Sequence, residues 1–219
     1  MVALIDAVLP RCAVASEAFA DLPGEVPFPG EEDVIANAVE GRRREFVTAR
    51  RCARLALAGL GQPAVAIRPG PRREPLWPAG VVGSITHCAG YRAAAVARLG
   101  DVAGLGIDAE PHSPLPEGAA ASIVLPRERD RLATAAPQVR WDRLLFSAKE
   151  SLYKAWFPLT GRWLGFDDAC VTFEPAAGTF RAEILTDGAR TDGGPPLTEV
   201  TGRYLIARGL ILTAVSIAA

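Results

Sequence analysis

The chain has 219 residues, 49% hydrophobic and 22% charged, enough to bury a sizeable core and typical of a globular protein with one large domain or two small ones. Its 24 basic and 25 acidic residues leave a formal net charge of -1, which removes the global electrostatic case for nucleic acid or an anionic membrane surface, so any anion site must be local. Cys12, Cys52, Cys88 and Cys170 are scattered without a CxxC pair, and with only two histidines the composition favours reduced, packing cysteines over a zinc or redox-dithiol centre.

The opening "MVALIDAVLP" has no basic leader and is interrupted by Asp6, while the apolar stretch "GLILTAVSIAA" falls far short of the ~20 residues that span a bilayer, so a cytoplasmic protein is expected. In "EEDVIANAVEGRRREFVTARRCARLALAGLG", early acids, later arginines and closing glycines match helix start and stop signals, with Gly41 marking a weak point. A punctuated loop, "RPGPRREPLWPAG", follows. Next, "VVGSITH" predicts a short buried strand, and "YRAAAVARLGDVAGLGIDAE" predicts two strands joined as a hairpin around a Gly-Asp turn. The proline-rich "EPHSPLPEG" leads to a helix from about Pro126 and a second from about Val139 to Trp156. The runs "ACVTFEP", "FRAEIL", "GRYLIA" and "LILTAVSI" then predict strands between turns. The fold class is mixed α/β, of the α+β kind.

If Leu105 to Glu110 is extended, Asp108 and Glu110 project to one face and Ala109 to the other. Paired carboxylates raise one another's pKa unless a cation lies between them. They suit a hard ion such as magnesium, or else form a solvated acidic turn. On the following helix, Leu145, Ala148, Leu152, Ala155 and Trp156 make an apolar stripe, with Arg143, Ser147, Glu150 and Lys154 roughly opposite. Glu150 and Lys154, at i,i+4, fit an exposed pair contributing ~0.2 to 0.5 kcal/mol or a polar strip facing a cleft. Arg42, Arg43, Arg44, Arg50, Arg51 and Arg54 crowd one helical segment, as phosphate-binding forks or a solvated face. His87, closing a strand, can donate to phosphate as an imidazolium or be structural. His112 has no comparable setting.

Taken in order, "SITH", "GIDAEP" and "FSAKESLYKAW" resemble the motif set of the Sfp and EntD type phosphopantetheinyl transferases. The stretches "RRREFVTARRCARLAL", "EPLWPAGVVGSITHCAGYR", "YKAWFPLTGRWLGFDDACVTFE" and "GPPLTEVTGRYLIARGLILTA" are similar to its actinobacterial, mycobacterial-type members. The resemblance implies a monomer of two similar α/β halves. Residues 1–104 would carry the arginine-rich helix and 3'-phosphate contacts, and residues 105–219 the metal and catalytic motifs. Coenzyme A would lie between them, its 4'-phosphopantetheine passing to a serine of an apo acyl or peptidyl carrier protein with release of adenosine 3',5'-bisphosphate.

By motif match, Asp108, Glu110 and Glu150 would hold magnesium, or manganese in its place. Glu150 would also take the serine proton, directly or through water. Lys154 would stabilise the pyrophosphate, Lys149 would contact phosphate, and Arg42, Arg50 and His87 would hold the 3'-phosphate of coenzyme A. The loop "IRPGPRREP" departs from the family pattern by offering Arg68, Arg72 and Arg73 in place of lysines, with no single residue assignable. The carrier protein would dock its acidic helix near "HSPLPEGAAASIVLP". Carriers of fatty acid, polyketide and nonribosomal peptide synthesis are all candidates. The alternatives are a non-catalytic coenzyme A or carrier-binding module on the same fold, and another magnesium-dependent phosphoryl-transfer enzyme.

Overall fold

The computed structural model describes residues 3–133 and 136–219. The arginine-rich segment does not become helical at its first acids. Glu32–Ile35 makes only a 3-10 turn, and helix α1 runs Glu40–Gly59 with Gly41 inside its first turn. Its apolar face, with Cys52, Ala53, Ala56 and Leu57 buried, lies on a three-stranded antiparallel sheet. In order, that sheet is β1 (Val14–Ala18), β3 (Tyr91–Arg98) and β2 (Val81–Cys88).

Strand β3 is buried on both faces, and its small side chains make that possible. Ala94 and Val96 face α1, while Ala93, Ala95 and Ala97 face a second core shared with the other sheet. This explains how an alanine run that permits a helix becomes a strand: only small residues let layers close on both sides.

The predicted hairpin does not form. Both edges of β3 are occupied by β1 and β2, so after the turn at Gly100 the chain crosses to a second sheet as β4 (Val102–Pro111). Strand β4 pairs with β8 (Leu210–Ala218), and the order continues through β7 (Glu199–Ala207), β6 (Thr179–Ile184) and β5 (Ala169–Glu174). Side-chain hydroxyls bridge the two sheets, with Ser84 Oγ accepting from the Ile107 amide at 3.0 Å and Thr86 Oγ1 from the Ala109 amide at 2.9 Å.

Short helices α2 (Ala120–Ile123) and α3 (Pro126–Ala133) precede the long helix α4 (Trp141–Thr160), which ends at Gly161 in the left-handed region, φ 65°. The apolar stripe of α4 is fully buried against the five-stranded sheet. Gly106 is what allows its close approach, because a Cβ there would sit 2.0 Å from the Ser151 carbonyl oxygen. Among the described residues, no helix is long and apolar enough to cross a membrane.

Candidate active site

Alternation along β2 divides "SITH" between two tasks. Ser84 and Thr86 point inward to β4, while Ile85 and His87 face a cleft of about 510 Å³. Helix α1 and the loop after it supply Arg42, Phe46, Arg50, Arg72 and Arg73 to that cleft. Helix α4 supplies Glu150, Tyr153 and Lys154 from the opposite side.

On the α4 side the predicted parity holds. Ala109 packs into the core between the sheets, and Asp108 and Glu110 both reach α4. Asp108 is buried and accepts from Lys154 Nζ at 2.8 Å, Ser147 Oγ at 2.8 Å and Thr86 Oγ1 at 3.3 Å. Lys154 Nζ also donates to the Ile107 carbonyl at 3.0 Å. The fully buried Thr213 hydroxyl backs Ser147, lying 2.9 Å from its Oγ and 2.9 Å from its carbonyl oxygen.

The i,i+4 ion pair between Glu150 and Lys154 is therefore absent, since the lysine turns to Asp108 instead. Among the described residues Glu150 takes no hydrogen bond or ion pair, although it is half-buried at the cleft. Burial pushes its pKa up, the charges of Asp108 and Glu110 add to that, and Lys154 opposes it.

Glu110 stands farther along β4, outside the cleft lining, and accepts from Arg143 Nη1 at 2.7 Å. Burial first and Asp108 next raise its pKa, against the pull of Arg143. Arg143 is itself fixed by the Ser113 and Pro114 carbonyls at 3.2 and 2.6 Å. Asp108 and Glu110 are thus each paired with an organic cation, while Glu150 is not. Among the described residues, no three acidic, histidine or cysteine side chains are grouped ready to hold a metal ion. The donor chemistry still suits a hard cation, because the charge of Asp108 raises the pKa of Glu110 and both acids raise that of Glu150, a conflict that positive charge relieves.

On the opposite wall, Arg42 Nη1 lies 2.7 Å from His87 Nε2. A guanidinium can only donate, so His87 accepts there as a neutral ring, and not as the imidazolium that is one of the two readings open from sequence. Burial and then the Arg42 charge lower its pKa in agreement. Arg50 stacks over Phe46, 3.4 Å from the ring centroid, and its Nε donates to the Ile67 carbonyl at 2.7 Å. Burial lowers its pKa to about 10, which leaves it charged at neutral pH.

Lys149 lies outside the cleft lining. It lies five residues from Lys154 and so points to a different side of α4, where it is buried. Its three protons go to the Ile123 carbonyl at 2.9 Å, Glu128 at 2.9 Å and the Phe166 carbonyl at 2.6 Å. An ammonium spent on three internal acceptors has no donor left for a phosphate. Arg68 is likewise committed, forking onto Asp33 at 2.8 and 2.7 Å, whereas Arg72 and Arg73 line the cleft. Sequence reasoning did not assign roles to Thr86, Ser147 and Thr213. Only the shared parity of Ser84 and Thr86 hinted that hydroxyls would meet β4.

A cleft between two helix-on-sheet walls, basic on one side and acid-rich on the other, is the setting for phosphoryl-group chemistry. Residues 30–97 match the 4'-phosphopantetheinyl transferase N-terminal domain, and residues 104–197 match the 4'-phosphopantetheinyl transferase superfamily. The chain belongs to that superfamily. It is 52% identical to the 4'-phosphopantetheinyl transferase Npt of Nocardia iowensis, over 98% of this chain and 100% of that one. It is 51% identical to PptT of Mycobacterium tuberculosis, covering 97% of each chain, and 51% identical to Svp of Streptomyces mobaraensis, covering 99% of this chain and 90% of the relative.

Proposed function

We infer that this protein, as a cytoplasmic monomer, transfers the 4'-phosphopantetheinyl group of coenzyme A to a serine of an apo acyl or peptidyl carrier protein, with magnesium or manganese as its metal. The observation that carries this reading is one cleft of about 510 Å³ lined by Arg42 and His87 on one wall and by Glu150 and Lys154 on the other. A division into halves 1–104 and 105–219 is supported by the family matches on either side of residue 100 and by each long helix packing on its own sheet.

In this reading Arg42 and His87 bind the 3'-phosphate of coenzyme A, with Arg50 beside them. Anchoring the substrate far from the reacting bond orients the pyrophosphate toward α4. The serine oxygen bonds to the phosphorus that carries pantetheine, and the bond from that phosphorus to the bridging oxygen breaks, releasing adenosine 3',5'-bisphosphate. Glu150 takes the serine proton. A carboxylate without a hydrogen-bond partner, made more basic by burial, is suited to that task. Lys154, still held by the Ile107 carbonyl when Asp108 turns to the metal, sets a positive charge beside the leaving phosphate.

Asp108, Glu110 and Glu150 would hold the metal, in exchange for their present contacts with Lys154 and Arg143. When bound, magnesium neutralises charge on the phosphate oxygens. Incubating the protein with coenzyme A, magnesium and a panel of apo carrier proteins tests the reading. One phosphopantetheine should appear on the carrier serine by mass spectrometry, and chelation with EDTA should stop the transfer. No mass gain on any carrier would sink it.

A further inference from the structure

Behind Arg42 and His87 lies a second layer of charge. With Arg42 donating to Nε2, the ring proton of neutral His87 must reside on Nδ1. That Nδ1 is 3.8 Å from Glu45 Oε2, and the same oxygen is 3.4 Å from Arg42 Nη1. Glu45 stands three residues after Arg42, so α1 itself places the two side chains together.

The other oxygen of Glu45 faces Arg92 Nη2 at 3.6 Å, and Arg92 is the cross-strand partner of His87 between β2 and β3. Arg92 is only 8% exposed, and its fork is fixed on Asp21 at 3.1 and 3.0 Å and on the Cys88 carbonyl at 2.6 Å. A rigid, buried guanidinium thus fixes one side of Glu45, and the cleft-lining arginine and histidine lie on the other.

Simple charge arithmetic makes this arrangement informative. A carboxylate beside an anion subsite repels the anion, so unless Glu45 has a positioning role it weakens phosphate binding. We propose that Glu45, anchored by the Asp21 and Arg92 pair, is a positioning residue for the 3'-phosphate of coenzyme A, orienting the Arg42 guanidinium that in turn donates to His87. This rests on the reading of Arg42 and His87 as the 3'-phosphate contacts.

The test compares coenzyme A with 3'-dephospho-coenzyme A as substrates. For Glu45→Gln, kcat/KM for coenzyme A should fall by about two- to tenfold while that for the dephospho form stays unchanged. In an Arg42→Ala background the same substitution should have no further effect, because Glu45 acts through Arg42. Improved use of coenzyme A by Glu45→Gln overturns the proposal, leaving plain repulsion. Equal loss on both substrates also overturns it, as a general structural role. If Glu45→Gln does not fold, Glu45→Asp keeps the charge but retracts the carboxylate. The preference for coenzyme A then narrows if position matters and keeps its wild-type value if it does not. A wild-type protein with no preference between the two substrates would instead remove the 3'-phosphate reading of Arg42 and His87, a result distinct from failure of Glu45 alone.

Discussion

On one wall of the cleft, α1 crosses an antiparallel sheet and turns arginines and a neutral histidine toward the opening, with Glu45 and Asp21 behind them. On the other, α4 crosses a second antiparallel sheet, and its neighbourhood holds carboxylates with Lys154 and Arg143 among them. The construction is the same and the charge order is reversed. Each wall compensates its own charges, anions behind cations on one side and cations beside anions on the other. The lesson is that net charge near -1 can conceal two strongly polarised surfaces. In the proposed reaction one would hold a phosphate at a distance, and the other would handle a proton and a leaving group.

Removing Glu150, which has no hydrogen bond or ion pair among the described residues, should break that asymmetry most severely. Glu150→Gln is expected to lower kcat by roughly 100- to 10,000-fold while coenzyme A still binds, measured by carrier modification and by calorimetry. Retention of full rate would take Glu150 out of the proton transfer. Next in size is the contrast between the two lysines of α4. Lys149→Met leaves Glu128 buried without its cation and should cost about 3 to 5 kcal/mol of stability, a fall in Tm of roughly 10 °C. Coenzyme A affinity of the folded variant should be unchanged, and a selective loss of affinity would return Lys149 to the substrate.

Gly106→Ala should come third. Its methyl group meets the backbone of α4 at 2.0 Å, so helix and strand must part, at about 3 kcal/mol by thermal melting. Transfer should suffer too, since Asp108 and Lys154 sit on the elements that separate. Arg42→Ala sharpens the comparison from the other wall: KM for coenzyme A should rise by about 10-fold or more with kcat little changed. The smallest effect is in cysteine labelling at pH 8. Burial pushes the Cys88 thiol up to about 12, leaving a thiolate fraction on the order of one in ten thousand, so an alkylating reagent should leave it for last and take the partly exposed Cys12 first.

Much of this was legible because strand and helix periodicities are local. Alternation alone put Asp108 and Glu110 on one face, and the 3.6-residue repeat put Leu145, Ala148, Leu152, Ala155 and Trp156 into the core. Pairing was not legible in the same way. The run around Gly100 has the look of a hairpin, yet β3 takes partners from residues 14–18 and 81–88 and β4 takes residues 210–218. No local pattern announces which distant strand competes better for an edge.

Motif resemblance brought Arg42, Arg50, His87, Glu150 and Lys154 to one cleft from three distant segments, whereas Lys149 lies outside that cleft lining and His87 accepts from Arg42 as a neutral ring. Both features have one cause. A side chain's charge state and direction depend on what surrounds it, and neither the Glu128 pocket nor the Arg42 donor is adjacent in sequence. By itself the sequence determined most of the elements, the side of β4 and α4 on which acids and bases stand, and the family, because these follow from residue type and spacing, though the edge strand Val14–Ala18 was not among them. The tertiary structure decided the partners: Lys154 with Asp108 instead of Glu150, Arg143 with Glu110, and Glu45 between Arg42 and Arg92. Charges pair according to distance and burial, and both are set only when the two sheets close on each other.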